Sequence, residues 1–419
     1  MSNFKIKLSL FGAFLLRIAF FPWGRHSDCD NFFYWSKYLW DKKDFLGFLG
    51  KSVPNAMPAT YPPIYYYLIY LWRGFYELIG EILWRLNVKL SFFPSNFIFI
   101  YQSYQGGVAF NKLPAIFADF GCAFLIFKTA VLAGCKREAA AVSSLLFLLL
   151  PPFWYNSAHW GQIDSIYAFF ILLAFYLTFK SKFLLATFSL GLSALVKPTG
   201  LFVLPAFLIY FLGKRKIMDG IFGAAFFAIL AYILYFPIQP LNTLAWAFSF
   251  YFGSFKGEVD FLASNAFNFW SFLFGFDQRP AGSLFLGIPL SLWGFAVFTF
   301  FGGVIAFYQW KRNNRKSFLF SAFLFSFASF LFLPRMHERY FYTAAAVLAI
   351  LSGFNKKMLY LFVALSLIHF INLYHFWWSP RIPLLISLFS NLAVLRVLIF
   401  LKMAIFAKLL LAHAKNETA

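Results

Sequence analysis

The heptad PRMHERY, residues 334–340, separates two apolar runs, residues 318–333 and 341–351. It brings two arginines, a histidine and a glutamate to a point where a membrane helix is expected to end. Charge beside a bilayer is costly and usually faces a cavity or another charge, so the heptad predicts a functional site. The plainer interpretation is a pair of arginines that extend to the membrane surface.

The rest of the chain has the composition of a membrane protein. Apolar residues make up 62% of its 419 residues, whereas soluble domains are closer to half apolar. Runs long enough to cross a bilayer, which takes roughly 20 residues, recur from end to end. We therefore predict an all-α polytopic membrane protein.

The charge pattern excludes several other classes. The formal net charge is +21, but the basic residues form short clusters between apolar runs, as in cytoplasmic loops and not as on a nucleic-acid surface. Cys29, Cys122 and Cys135 have no spacing that indicates a disulfide framework or a zinc site. The sequence contains neither a P-loop nor a dinucleotide-binding GxGxxG pattern, which argues against an ATP-driven machine and a Rossmann-type enzyme.

The basic clusters also predict the topology. The first span is residues 6–21, a long polar and aromatic loop covers residues 23–61, and the second span starts at Tyr61-Pro62-Pro63. A further crossing at residues 92–104 moves every strong basic cluster to the cytoplasmic face, which gives about 14 spans with both ends inside. Nearly every unusual polar motif then lies on the outer face. Residues 32–40 of the first loop predict an amphipathic helix.

Asp28 and Asp30 lie two residues apart in that first loop. In an extended segment both carboxylates share one face. There they can bind a divalent metal, or one of them can serve as a general base. A solvated acidic turn is the alternative interpretation.

The segment YNSAHWGQIDS, residues 155–165, follows an apolar run that ends in two prolines. Its polar side chains with hydrogen-bonding reach are Asn156, His159, Gln162 and Asp164. Trp160 lies among them, and aromatic faces beside amides and carboxylates suit the apolar faces and hydroxyls of a sugar. The alternative is a helix capped by Asp164 or Ser165 beside an interfacial tryptophan.

Four other residues carry a charge or are of a type that can ligate a metal. Lys197 interrupts two apolar runs, where it can contact a phosphate or extend to the surface. Asp119 lies within a predicted span, and we expect it to be structural, paired with Arg17 or with an amide. His369 and His375 lack the i, i+4 spacing of a metal pair, so we take them as structural.

Taken in order, these motifs resemble the GT-C superfamily of membrane glycosyltransferases, which use sugars linked to lipid phosphates. The closer likeness is to dolichyl-phosphate-glucose-dependent glucosyltransferases and to bacterial and archaeal mannosyltransferase-like proteins. The resemblance implies one membrane domain over residues 1–419, with a shared module over 1–240 and more variable helices over 241–419. It also implies a large first outer loop that contains amphipathic helices.

The resemblance extends to single residues. Asp28 is similar to the family's first-loop catalytic base, and Asp30 to a second acidic position. Lys197 resembles the lysine of a Lys-Gln or Lys-Pro motif, and His337-Glu338-Arg339 a late motif tied to the lipid phosphate. The candidate ligands of the donor phosphate are Arg335, His337, Arg339 and Lys197. The candidate sugar- and acceptor-binding residues are Asp30, Tyr61, Asn156, His159, Trp160, Gln162, Asp164 and Glu338.

The predicted reaction is an inverting transfer of mannose or glucose from a polyprenyl-phosphate donor to a glycan, lipid or protein acceptor. It takes place on the outer face of a bacterial or archaeal plasma membrane, or on the lumenal face of the endoplasmic reticulum. No cofactor is expected; a divalent metal is possible through Asp28 and Asp30 but is not favoured. The partners are membrane lipids and the two substrates, and no nucleic acid.

Two other functions stay open. A flippase for lipid-linked sugars predicts matching repeats in the two halves, and the sequence shows no such symmetry. An O-antigen-type ligase or polymerase predicts arginine-rich outer loops without a first-loop aspartate.

Overall fold

The computed structural model describes residues 3–256 and 260–415, and helices dominate it. In chain order the helices of the first half are α1 (Asn3–Phe20), α2 (Ser27–Lys42), α3 (Pro63–Lys89), α4 (Ser95–Gln102), α5 (Tyr104–Leu132), α6 (Arg137–Leu149), α7 (Pro151–Trp154), α8 (Asp164–Phe179), α9 (Phe183–Val196) and α10 (Leu204–Gly213). The later helices are α11 (Ile217–Tyr235), α12 (Thr243–Lys256), α13 (Phe269–Phe274), α14 (Leu290–Lys311), α15 (Arg315–Phe332), α16 (Tyr342–Leu351), α17 (Lys356–Trp377), α18 (Pro383–Phe389) and α19 (Leu392–Lys415). A π-helical turn (Tyr155–Trp160) and two 3₁₀ turns (Pro198–Val203 and Glu338–Phe341) complete the helical structure described.

Prolines and capping side chains fix several helix starts. Pro63 is the first residue of α3, where its missing amide hydrogen costs nothing. Ser103 ends α4 and caps α5 through a bond from the Gly106 amide. Asn314 and Asn355 cap α15 and α17 in the same way.

Several helices are apolar enough for a membrane. Of those described, α5, α11, α14, α15 and α17 can cross one by length and composition. Two bent pairs, α6 with Pro151–Trp160 and α18 with α19, raise the number to 7 if each pair is one span. The chain is thus a membrane protein by its apolar helices, and the count of about 14 spans stays a prediction.

The crossing predicted at residues 92–104 is wrong. Helix α4, which occupies this region, has 8 residues. At 1.5 Å per residue it is about 12 Å long, against about 30 Å for the hydrocarbon core. Helix α3 is long enough but too polar to count among the candidates.

The two apolar runs that flank the heptad form the centre of the molecule. The apolar part of α15 is 89% buried, and every residue of α16 is buried. Helix α15 packs on α10, α14, α16 and α19, while α16 packs on α5, α6, α8 and α17. By contrast, the apolar part of α11 is only 11% buried, so its surface faces outward. The heptad is therefore held at the end of the most enclosed helix pair.

Two short strand pairs accompany the helices. Strands β1 (Ala263–Ser264) and β4 (Met336–His337) pair in parallel, with Ser264 opposite His337. Strands β2 (Leu284–Phe285) and β3 (Ile288–Pro289) form an antiparallel pair. The first pair ties the loop before α13 to the heptad.

The predicted pairing of Arg17 with Asp119 is confirmed. The two side chains are fully buried, with Nε 2.8 Å from Oδ2. Ser157 donates to the same carboxylate at 2.5 Å, and Arg17 also donates to the Leu148 carbonyl at 3.0 Å. This network joins α1, α5 and the π-helical turn.

Candidate active site

The first loop places Asp28 in the first turn of α2, directly after the N-cap residue His26 and Ser27. Because this segment is helical, the extended arrangement expected for Asp28 and Asp30 is wrong: residues two apart on a helix do not face each other. Asp30 instead accepts from Arg25 at 3.1 Å and from the Tyr104 hydroxyl. The two carboxylates therefore have separate partners and do not form a pair.

Three side chains contact Asp28, all at the same carboxylate oxygen. The indole Nε1–H of Trp160 donates to Oδ2 at 3.2 Å, and the Gln162 amide nitrogen donates to the same oxygen. The Nδ1 atom of His26 lies 3.0 Å from it. Among the described residues, none forms a hydrogen bond or an ion pair with Oδ1, and the side chain is 23% exposed. Oδ1 is thus open to a substrate.

The π-helical turn aims Trp160 and Gln162 at Asp28. It ends at Gly161, whose φ of +86° is in the left-handed region that favours glycine. A Cβ there would lie 2.5 Å from the Cys29 sulfur, so no other residue fits without a shift. Such π-helical turns occur often at functional sites.

Lys112 anchors the same turn to the first loop. Its ammonium donates to the carbonyls of Phe21, Ala158 and His159 at 3.0 to 3.2 Å, and to that of Gly24. The lysine is 2% exposed, so its charge is satisfied by backbone carbonyls. Lys112 therefore holds together the two segments that carry Asp28 and Trp160.

Asp164 and Lys197 form a buried ion pair. Lys197 Nζ lies 2.5 Å from Asp164 Oδ1, and the Asn156 amide donates to Asp164 Oδ2 at 2.9 Å. Lys197 is 4% exposed, so it does not extend to the surface. Its ammonium also lies 5.2 Å from the centre of the Tyr340 ring, which joins this cluster to the heptad.

Within the heptad, Arg339 is the cation nearest to the other site residues. Its Nη1 donates to Glu338 at 2.7 Å, and its guanidinium carbon lies 5.9 Å from the Trp160 ring centre. Arg335 has φ of +61° and pairs with the exposed Asp260 at 2.5 Å. Arg339 is therefore directed at the cluster around Trp160, and Arg335 lies at an exposed edge.

The electrostatics favour an ionised Asp28. Burial raises the pKa of this carboxyl, but the bond to His26 and the charge of Arg339 outweigh it, and the net pKa lies well below the usual range. Burial, with Arg339 and Lys197, lowers the pKa of His337 to about 3, so this ring is neutral at physiological pH. Burial raises the pKa of Glu338.

Two predicted residues stand at the edges of this arrangement. The half-buried Tyr61 ring packs on Phe32 at 5.7 Å, and its hydroxyl is close enough to Arg339 and Asp28 to be influenced by both charges. His159 is directed elsewhere: its Nε2 lies 3.0 Å from the Ser379 hydroxyl. A direct contact of His159 with Asp28 is absent from the contacts described.

Besides Lys112, three residues of this site were not predicted from the sequence. His26 stands two positions before Asp28, and its signal was the HxD spacing itself. Phe376 and Trp377 follow a region without a recognised motif, yet Phe376 stacks on Trp160 at 5.5 Å and Trp377 lies 5.0 Å from His159. Only the packing of α17 against the π-helical turn brings these rings together.

A groove of about 550 Å³ lies apart from this cluster. Its lining comes from α2, α3 and α4 and includes Trp40, Glu77, Glu81 and Trp84. Within residues 3–256 and 260–415, no three His, Cys, Asp or Glu side chains converge as a metal site would require. Metal independence itself stays a prediction.

The sequence model of glycosyltransferase family 87 matches residues 108–334, more than half of the chain. The matched range includes Lys112, the π-helical turn and Lys197, and it ends at the first residue of the heptad. No curated protein matches the sequence. The match confirms the predicted resemblance to membrane glycosyltransferases, and the chain belongs to glycosyltransferase family 87.

Proposed function

We propose that this glycosyltransferase moves a hexose, mannose or glucose, from a polyprenyl-phosphate donor to an acceptor hydroxyl on the outer face of the membrane. The acceptor is a glycan, a lipid or a protein. The observation that carries the proposal is the setting of Asp28: its Oδ1 has no partner among the described residues, and the charge of Arg339 helps to hold its pKa below the usual range. A base and a cation at one site are what this reaction needs, since a proton leaves the acceptor while negative charge develops on phosphate.

Asp28 is the proposed base. Its Oδ1 takes the proton of the acceptor hydroxyl while the acceptor oxygen forms a bond to the anomeric carbon. The bond from that carbon to the phosphate oxygen breaks, and its electron pair leaves with the lipid phosphate. Attack from the side opposite the leaving group inverts the anomeric carbon.

Arg339 is the proposed main ligand of the leaving phosphate. Its Nε is buried and, among the described residues, has no hydrogen-bond partner. Buried donors are nearly always paired, so an unpaired one indicates a missing ligand. A guanidinium suits phosphate because its N–H groups form a planar fork. Neutral His337 would add an N–H donor, while Lys197 already neutralises Asp164 and contributes less free charge.

Unpaired hydrogen-bond acceptors support the binding of a sugar between Asp28 and Arg339. Asn156 Oδ1, Gln162 Oε1 and Thr199 Oγ1 are buried without partners in the part of the chain described. Sugar hydroxyls donate hydrogen bonds, and the nearby indole of Trp160 offers a face for the apolar side of a ring.

The test uses the purified enzyme and radiolabelled polyprenyl-phosphate-mannose and polyprenyl-phosphate-glucose, each with a membrane extract as acceptor. We expect transfer from one donor, unchanged by EDTA, and the productive donor names the sugar. Transfer that EDTA abolishes would contradict the metal-free mechanism. Transfer from neither donor, by protein with a cooperative thermal unfolding transition, would contradict the proposed function.

A further inference from the structure

His26 contacts Asp28 at two atoms. Its Nδ1 lies 3.0 Å from the carboxylate Oδ2 and 3.1 Å from the backbone nitrogen of Asp28. The side chain is 12% exposed, and its ring lies 4.8 Å from Trp160 and 5.3 Å from Trp377. Two indoles thus fix the ring in one orientation.

The protonation of Nδ1 decides which contact is made. Without a hydrogen, Nδ1 accepts from the Asp28 amide, as an N-cap side chain does. With a hydrogen, Nδ1 donates to Oδ2. An ionised carboxylate at 3.0 Å repels the lone pair of an unprotonated nitrogen, so ionised Asp28 selects the Nδ1–H form of the ring.

The Asp28 carboxylate does not cap its own helix: among the described contacts it accepts from no backbone amide of α2. Acidic side chains in the first turn of a helix are attracted to its free amides and its positive dipole. At the start of α2 the histidine occupies the N-cap position. The Asp28 carboxylate is instead directed to Trp160 and Gln162, which contact the same oxygen as His26.

We propose that His26 is a positioning residue of the transfer reaction: its Nδ1–H holds Oδ2 of Asp28, so that Oδ1 faces the acceptor hydroxyl. This inference rests on the proposed function, in which Asp28 is the base. His26 does not touch the reacting atoms. Its effect is to restrict the carboxylate to one orientation, which raises the rate of proton removal without changing donor binding.

Two substitutions distinguish the contribution of the His26 N–H group from that of its ring. His26→Phe keeps a ring against Trp160 and Trp377 but removes the donor. His26→Asn loses the ring but keeps a short side chain that caps helices well and carries an N–H donor. The surface variant Lys37→Ala, on the same helix, is the control, since the contact that Lys37 makes with the described residues is an exposed pair with Asp41.

The experiment measures kcat and the donor KM of each variant with the productive donor, together with thermal unfolding. We expect His26→Phe to lose about 10- to 100-fold in kcat, the worth of one hydrogen bond to a charged group, with an unchanged donor KM. His26→Asn should stay within about fivefold of the wild type, and Lys37→Ala should match it.

A His26→Phe variant as active as the wild type would overturn the proposal, and so would the reverse order, with Asn inactive and Phe active. If His26→Phe fails to unfold cooperatively, His26→Asn still decides. A fall of about 10-fold or more in its kcat would show that a capping side chain with an N–H donor is not sufficient. A wild type that transfers from neither donor is a separate outcome and contradicts the proposed function instead.

Discussion

The indole nitrogen of Trp160 lies 3.2 Å from Oδ2 of Asp28, although 132 residues separate the two along the chain. This contact joins the first loop to the π-helical turn. It also joins the part of the chain outside the matched family range to the part inside it.

The first prediction concerns the two arginines of the heptad. Arg339→Gln should lower kcat about 100-fold, as expected when a charged donor to the developing phosphate charge is lost. Arg339→Lys should recover little, because lysine lacks the planar fork. Arg335→Gln, which breaks an exposed pair with Asp260, should change kcat by no more than about threefold. Equal losses in the two Gln variants would show that both arginines bind the phosphate.

The second prediction concerns the turn at Gly161. Gly161→Ala puts a methyl group 2.5 Å from the Cys29 sulfur on a backbone with φ of +86°. We expect kcat to fall because Trp160 and Gln162 shift relative to Asp28, and the melting temperature to fall with it. Gly134→Ala is a matched control, since its φ is +102° and nothing lies within 4 Å of the new methyl group. Normal kcat in Gly161→Ala would show that the turn does not position the site.

The third prediction concerns stability. Asp119→Asn should destabilise the fold by about 3–5 kcal/mol, because it leaves the Arg17 charge buried without its counterion. The double variant Arg17→Met/Asp119→Leu should be much less destabilised. Thermal unfolding in detergent measures both. A double variant less stable than Asp119→Asn would mean that the ion pair itself, and not the avoidance of an unpaired charge, supports the fold.

The fourth prediction concerns pH. A carboxyl with a lowered pKa is ionised above that pKa, so the base form of Asp28 persists through mildly acidic pH. His337, with its pKa lowered to about 3, stays neutral over the same range. We therefore expect kcat to be flat from about pH 5.5 to 7.5, in the range where an ordinary histidine titrates. A midpoint near the ordinary histidine value would contradict these assignments.

The sequence predicted the membrane class, and it selected Asp28, Trp160, Gln162 and Arg339 as site residues. Both predictions rest on features that neighbouring residues show by themselves: the length of each apolar run, and the presence of polar residues at its end. Which side chains pair with each other in the fold cannot be read from neighbouring residues. Lys197 was expected to face a phosphate and is paired with Asp164 across 33 residues, a contact that no periodicity encodes.

Two local predictions failed for physical reasons. Asp28 and Asp30 were read as extended, but a histidine N-cap starts a helix one residue before Asp28. Residues 92–104 were predicted to cross because that choice puts every strong basic cluster on the cytoplasmic face. The helix found there has only 8 residues, and the length of a segment limits a crossing in a way that charge bias does not report.

The most direct test of the central claim is a single-turnover assay that compares the wild type with Asp28→Asn on the productive donor. Asp44→Asn, an exposed residue of the same loop paired with Lys51, is the control. Loss of a general base predicts a rate at least about 100-fold lower in Asp28→Asn, with donor binding and thermal unfolding unchanged. Transfer by Asp28→Asn at the wild-type rate would contradict the assignment of Asp28 as the base, and with it this account of the site.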